Sequence, residues 1–323
     1  MTNPLVSVLV PCYNHELFLD DCLESIIGQS YANIELLICD DCSPDNSYEK
    51  ILAYADRLKA RFPRVEILKN EVNCGVTKNV NRMLRLAKGS YVKTLASDDA
   101  MAPDAIGEMV AYLEANPAIS VVVANGVTVL EQERYPSFTP QGKIYDAAPD
   151  FSPEGFFLRV ARCNPISAPA AMVRMSVYET YGMYDETIKV EDYEFWLRIL
   201  KDGNTQFGFL DKALLYYRIN ANSMTSATHN AGLADRRRRF HQSVMDTLYK
   251  FREAIPPEAF ADMVLSYIHT ERCVAVSHKL WDWEAQLFSD WKQFDGWKAL
   301  PLGQRLKLHY QSLRQTAKKV ISK

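Results

Sequence analysis

Apolar positions change their period along the chain, and each change marks an element. Val6 and the run Ser7–Pro11 (Ser-Val-Leu-Val-Pro) are β-branched and continuous, as in a strand buried on both faces. Asn14 is placed to cap a helix whose Leu19, Cys22, Leu23, Ile26 and Ile27 recur at helical spacing. Ile34–Cys39 is a second apolar run, closed by a turn-rich polar loop, Asp40-Asp41-Cys42-Ser43-Pro44-Asp45. Ser47–Arg61 reads as a helix, Val65–Lys69 as a strand, Lys78–Ala87 as a helix and Ser90–Leu95 as a strand. Pro103 suits the first turn of a helix with Ile106, Met109, Val110 and Leu113 on its inner face. Ile119–Val123 is one more strand. This alternation predicts an α/β fold with a mostly parallel sheet.

Beyond it the pattern loosens. Glu131–Arg162 is irregular and rich in Pro and Gly, which suggests a loop over the site. Met172–Arg174 reads as a strand, a helix starts near Glu191 with Phe195, Trp196, Ile199 and Leu200 facing inward, and Leu214–Arg218 is the last strand. From Ala227 strand signals cease. Helices are expected around Arg236–Tyr249 and Glu258–Leu280, then a Trp-rich stretch and a terminal helix after Pro301. The expected organisation is an α/β domain over 1–226 and a helical region over 227–323.

Composition narrows the function classes. Hydrophobic residues make up 48% and charged residues 24% of 323 positions, enough apolar chain for a sizeable core. The net charge of -3 gives no basic surplus for nucleic acid. The N-terminus shows no basic leader followed by a long apolar stretch, and no apolar run approaches the roughly 20 residues of a membrane span. Seven scattered cysteines suit a reducing compartment, so a cytoplasmic protein is expected. Leu302–Ile321 mixes leucines with Arg305, Lys307, Arg314, Lys318 and Lys319. Such a helix can lie on the inner face of the cytoplasmic membrane; packing against the protein is the alternative. Cys39 and Cys42 have C-x-x-C spacing without a second pair, which favours buried packing over zinc. The run Arg236–Arg239 reads as a solvated helix face, with an anchor for the diphosphate of a lipid-linked acceptor as the other reading.

The candidate chemistry lies in the loops after strands one, two and four, which carry Pro11-Cys12-Tyr13-Asn14, Asp40-Asp41 and Asp98-Asp99. Open α/β sheets bind ligands outside the carboxyl ends of their strands. Carboxylates such as Asp98 and Asp99 can hold Mg²⁺ or Mn²⁺ together with substrate phosphates, and the ion then stabilises charge on a departing diphosphate. Taken alone, each pair is also explained by a turn and helix cap. Glu191-Asp192 opens a helix, where the dipole favours carboxylates; a general base is the functional reading.

The order of these motifs is more specific than any one of them. Val8-Leu9-Val10-Pro11-Cys12-Tyr13-Asn14, Asp40-Asp41-Cys42-Ser43-Pro44-Asp45, Asn73-Cys74-Gly75 with Asn81, and Leu95-Ala96-Ser97-Asp98-Asp99 follow one another. Gly182-Met183-Tyr184-Asp185-Glu186, Glu191-Asp192-Tyr193-Glu194-Phe195-Trp196 and Tyr217-Arg218 complete the series. From Val6 to Asn222 the chain resembles the family 2 glycosyltransferases, which have the GT-A fold. The resemblance implies a nucleotide-base pocket at Pro11, Tyr13 and Asp41, with uracil the expected base, and further donor contacts from Asn73, Asp99 and Arg218. It implies Asp98 as the acid for Mn²⁺ or Mg²⁺, Asp192 as general base, Glu191 as a neighbour that helps orient the acceptor or the base, and Trp196 as supporting packing. Two departures stand out. Ala96 replaces the first acid of the family's Asp-X-Asp motif, and Ile219-Asn220-Ala221-Asn222 stands where the family often has a metal-side His. Asn220 or His229 is the expected substitute.

The activity so implied is inverting transfer of a sugar from a nucleotide-diphosphate sugar, a UDP-sugar, to a hydroxyl of a glycan or lipid-linked glycan in surface-polysaccharide, O-antigen or capsule assembly. Ala96 keeps open a non-catalytic nucleotide-sugar-binding or assembly protein on the same fold. A nucleotidyltransferase has less support, since no Gly-rich phosphate loop follows the first strand.

Overall fold

The computed structural model describes residues 3–220 and 232–293. The chain divides into two compact units, Met1–Asn220 and Ala221–Lys323. The boundary expected at 226 lies outside the described residues.

Apolar runs make the central strands of the first unit. β1 (Val6–Cys12), β2 (Ile34–Asp40), β3 (Arg64–Lys69) and β4 (Tyr91–Thr94) pair in parallel in the order β3-β2-β1-β4. Val8, Leu9, Val10, Leu36, Leu37 and Ile38 are wholly buried. Their crossovers are α1 (Leu19–Ile27), α2 (Ser47–Ala53) with α3 (Ala55–Arg61), and α4 (Val76–Leu84). Cys12 stands opposite Asp40 and Leu9 opposite Thr94, so the carboxyl ends of β2, β1 and β4 finish along one edge.

The sheet continues through β5 (Ala100–Met101), β6 (Ile119–Leu130), β7 (Gly142–Lys143), β8 (Ala171–Arg174) and β9 (Gln206–Ile219), for nine strands among the described residues. β8 runs antiparallel to β4, and β6 and β9 pair in parallel along their length. Helices α5 (Ala105–Ala115), α6 (Phe156–Arg162), α7 (Met175–Tyr181) and α8 (Glu191–Leu200) complete the unit. The architecture is the expected α/β fold.

The helix expected over Ser47–Arg61 is two helices meeting at Tyr54, whose hydroxyl reaches Glu24 on α1 at 3.0 Å. Asn14 caps nothing. It sits at φ 57°, its N–H donates to Ser43, and α1 begins only at Leu19. β6 and β9 outrun the strands read from the pattern, because Asn125 and Gly126 interrupt the apolar run without ending the strand. Asn125 fills the register break by donating to Asp211 and Tyr145, and a side chain at 126 would come within 2.7 Å of the Leu215 carbonyl oxygen. The irregular stretch 131–162 contains β7 and α6.

The second unit holds α9 (Leu233–Lys250), α10 (Pro257–Ser277) and α11 (Trp281–Gln293). The arginine run is not a plain solvated face: Arg237 is buried and pairs with Glu271, while Arg238 is exposed beside Asp235. Arg272 pairs with Glu284 at 2.6 Å, and Trp283 is buried against His241. No described helix is long and apolar enough to cross a membrane. The terminal basic helix, Trp297 and His229 lie outside the described residues.

Candidate active site

Three loops leave the shared sheet edge and are tied together by hydrogen bonds. The loop after β1 donates through the N–H groups of Asn14, His15 and Glu16 to Ser43, Ser47 and Asp45 of the loop after β2, at 3.0–3.1 Å. It also meets the loop after β4, where His15 Nδ1 lies 2.8 Å from Ser97 Oγ and Nε2 lies 3.8 Å from Asp98 Oδ2. Pro11, Tyr13, Asp41 and Asp98 therefore belong to one connected rim. Tyr13 is exposed.

Asp41 is buried and faces the loop after β3. Its Oδ1 accepts from the Asn70 side chain at 2.7 Å and the Cys74 N–H at 3.0 Å, and its Oδ2 accepts from the Gly75 N–H at 2.8 Å. Gly75 has φ 87° and opens α4, so the carboxylate sets the start of that helix. Asn73 is exposed; the atoms that Asp41 holds belong to the two residues after it.

The Asp98-Asp99 turn divides its work. Asp98 keeps its carboxylate partly open, with Asn220 Nδ2 at 3.4 Å from Oδ2. Asn220, one of the two expected substitutes, thus lands beside Asp98. Asp99 does not face a donor. It is buried, its Oδ1 accepts the Arg218 N–H at 2.9 Å, and its Oδ2 has no hydrogen-bond partner among the described residues. Burial, and then the charge of Asp98, hold its carboxyl well above the ordinary range. Burial lowers the ammonium of Lys93 to about 7, against the opposing effect of Asp99.

Arg218 also departs from expectation. Its side chain is 0% exposed and every guanidinium nitrogen meets the protein. Nε donates to the Asp98 carbonyl at 2.8 Å, Nη2 to Asp21 at 2.7 Å, and Nη1 to the carbonyls of Leu130, Glu131 and Glu133. Phe18 and Phe138 cover it at 4.9 and 5.1 Å. A side chain so enclosed anchors the turn and the start of the 131–162 segment instead of touching a donor.

Glu191 and Asp192 form the first turn of α8. Asp192 Oδ1 accepts its neighbour's N–H at 2.7 Å and Oδ2 accepts from Asn164 at 3.3 Å. Burial raises both carboxyls, and the Asp192 charge adds to the effect on Glu191. The segment before α8 is seated on α4, with Thr77 Oγ1 donating to the Ile188 carbonyl and Asn81 Nδ2 to that of Tyr184. Asn164 begins the segment that leads to Pro169, whose carbonyl accepts from Lys93 of β4. Asp192 is thereby tied, through Asn164, to the segment whose Pro169 carbonyl meets β4. Trp196 is buried against Phe195 and Phe207, behind the acids.

A divalent ion fits this donor set in part. Asp98 supplies one partly open carboxylate, with an amide and an imidazole beside it, leaving other positions for phosphate oxygens and water. No group of three His, Cys, Asp or Glu side chains that could hold an ion occurs among the described residues. His15 and Asn164 were missed in the sequence. His15 had a signal, a titratable ring in the polar loop after the first strand, whereas Asn164 sits in the irregular stretch, where nothing singles it out.

Residues 7–182, more than half of the chain, match the family described as Glycosyl transferase family 2. The chain belongs to that family. WfgD of Escherichia coli, a UDP-Glc:alpha-D-GlcNAc-diphosphoundecaprenol beta-1,3-glucosyltransferase, is 29% identical to this family 2 member over 229 residues, 70% of this chain and 81% of WfgD. The S. aureus TarS 1–349 structure in complex with UDP-GlcNAc superposes with a TM-score of 0.64 at 19% identity, covering 96% of this chain and 88% of that one. The mannosyltransferase PcManGT from Pyrobaculum calidifontis, in complex with GDP-Man and Mn²⁺, gives 0.57 at 18% identity over 100% and 89%. These likenesses confirm the GT-A fold.

Proposed function

We propose that this family 2 glycosyltransferase is an inverting, divalent-metal-dependent enzyme. It takes a sugar from a nucleotide-diphosphate donor, a UDP-sugar, and places it on a hydroxyl of a glycan or lipid-linked glycan in surface-polysaccharide assembly. The observation that carries the reading is Asp98, a partly open carboxylate after β4 with His15 and Asn220 beside it, in a chain whose residues 7–182 match the family; Asp192, in the first turn of α8 and accepting from Asn164, is the carboxylate read as the base. WfgD uses UDP-Glc and an undecaprenyl-diphosphate acceptor, and TarS binds UDP-GlcNAc, which favour uracil and a lipid-linked acceptor. PcManGT, with GDP-Man and Mn²⁺, supports the ion and keeps guanine in play as the base.

Asp192 takes the proton of the acceptor hydroxyl as its oxygen bonds to the anomeric carbon and the carbon–phosphate oxygen bond breaks from the opposite face. The electron pair leaves on the nucleoside diphosphate. A bound divalent ion supplies charge neutralisation for that leaving group. Glu191, protonated more readily than an ordinary carboxyl, limits repulsion beside the base. Tyr13 and Pro11 frame the base, and Asp41 holds the loop at 70–75 that borders it. All seven cysteines are free, which fits a cytoplasmic setting.

Incubation with a panel of UDP- and GDP-sugars, Mn²⁺ and a diphosphate-lipid acceptor tests this reading. The expected result is release of UDP from one donor, with anomeric inversion in the product by NMR. Tight donor binding without nucleotide release under any acceptor supports the non-catalytic reading instead.

A further inference from the structure

We propose that His15 is a ligand of the divalent ion, taking the place that Ala96 leaves vacant in the family's acidic motif. The inference deepens the metal-dependent reading above and rests on it.

The ring is held from two sides. Nδ1 lies 2.8 Å from the hydroxyl of buried Ser97, and the ring meets Phe18 edge-on at 5.8 Å. With Nδ1–H donating to Ser97, the lone pair of Nε2 faces the Asp98 carboxylate. Metal-ligating histidines are oriented in this way, with the second nitrogen donating to a fixed neighbour. Nε2 stands 3.8 Å from Asp98 Oδ2, too far for a hydrogen bond. In that tautomer Nε2 offers a lone pair toward Asp98 Oδ2, which also accepts from Asn220 Nδ2 at 3.4 Å, and a cation between the nitrogen and the carboxylate would bridge them. Bonds of about 2.1 Å from one ion to each atom span up to about 4.2 Å, so the gap admits one ion. Both side chains are partly open, His15 at 24% and Asp98 at 14%, which leaves room for phosphate oxygens to complete the shell. A nitrogen ligand also tilts preference from Mg²⁺ toward Mn²⁺.

Mn²⁺ binding to the full chain with UDP, followed by EPR, tests the assignment. His15→Ala is expected to weaken Mn²⁺ binding at least tenfold, with metal-free UDP binding unchanged, and Ala96→Asp in that background to recover most of the loss. Spin-echo modulation from a directly bound ¹⁴N is expected in the wild-type Mn²⁺–UDP complex, a readout that needs no variant. Absence of that modulation, or wild-type Mn²⁺ affinity in His15→Ala while Asp98→Asn loses it, overturns the role of His15 and leaves the metal reading standing. Wild-type affinity in Asp98→Asn overturns the metal site itself.

Discussion

The Arg218 N–H donates to Asp99 Oδ1 at 2.9 Å, joining the end of β9 to the turn that carries Asp98. The same residue's side chain reaches the Asp98 carbonyl, Asp21 on α1 and three carbonyls at 130–133. Arg218→Lys keeps the charge near Asp21, but three donors on a flexible stem cannot satisfy these acceptors together. Leaving buried carbonyls unpaired is expected to cost at least about 2 kcal/mol in urea unfolding. Turnover should fall as well, since the turn that presents Asp98 loosens. Unchanged stability and turnover in this variant would show the guanidinium is dispensable.

Asp41 makes a second structural prediction. Its carboxylate satisfies two backbone N–H groups and one amide in the 70–75 loop. Asp41→Ala is expected to destabilise the protein by about 2–3 kcal/mol, because those donors lose a charged acceptor. Asp41→Asn keeps the shape but turns one oxygen into a donor facing a donor, so it should recover only part. Chemical denaturation of the three proteins checks the order wild type, Asn, Ala.

How much of this was legible in the sequence depends on what each residue answers to. The strands through Leu9 and Leu37 announce themselves because both faces are buried and the apolar run is unbroken. Asp98 and Asp192 are singled out by motif order, and the structure places them after the end of a strand and at the start of a helix, positions that follow from topology. Arg218 and Asp99 misled because sequence supplies the residue type without its burial; a charged residue in a family motif reads as a ligand contact until the carbonyls around it are seen. The split at Tyr54 and the continuation of β6 past Asn125 depend on tertiary partners, Glu24 and Asp211, which local periodicity does not contain.

Removal of the base should separate chemistry from donor binding. Asp192→Asn preserves size and can keep the hydrogen bond from the Tyr193 N–H, at the expense of the longer one from Asn164, but cannot accept the acceptor's proton. Loss of a general base is expected to lower kcat by about 10²–10⁴-fold. The donor KM should stay within about threefold, since the role proposed for Asp192 is toward the acceptor and not the nucleotide. Steady-state rates of UDP release measure both. A kcat within twofold of wild type would remove Asp192 from the mechanism.

The raised carboxyls of Glu191 and Asp192 should be visible in two pH profiles of opposite slope. Activity requires Asp192 ionised, so log kcat should climb with pH, with its midpoint above the ordinary carboxylate value of about 4. Stability should run the other way. A carboxyl that holds its proton more tightly when folded favours the native state fully below the unfolded value of about 4, and that contribution is lost as pH rises through the raised folded value. Glu191→Gln has no proton to lose, so its stability should fall less than that of the wild type as pH rises. Urea midpoints at intervals from pH 5 to 8.5 give the comparison, and parallel curves for the two proteins would mean that Glu191 ionises in the folded state as freely as in the unfolded one.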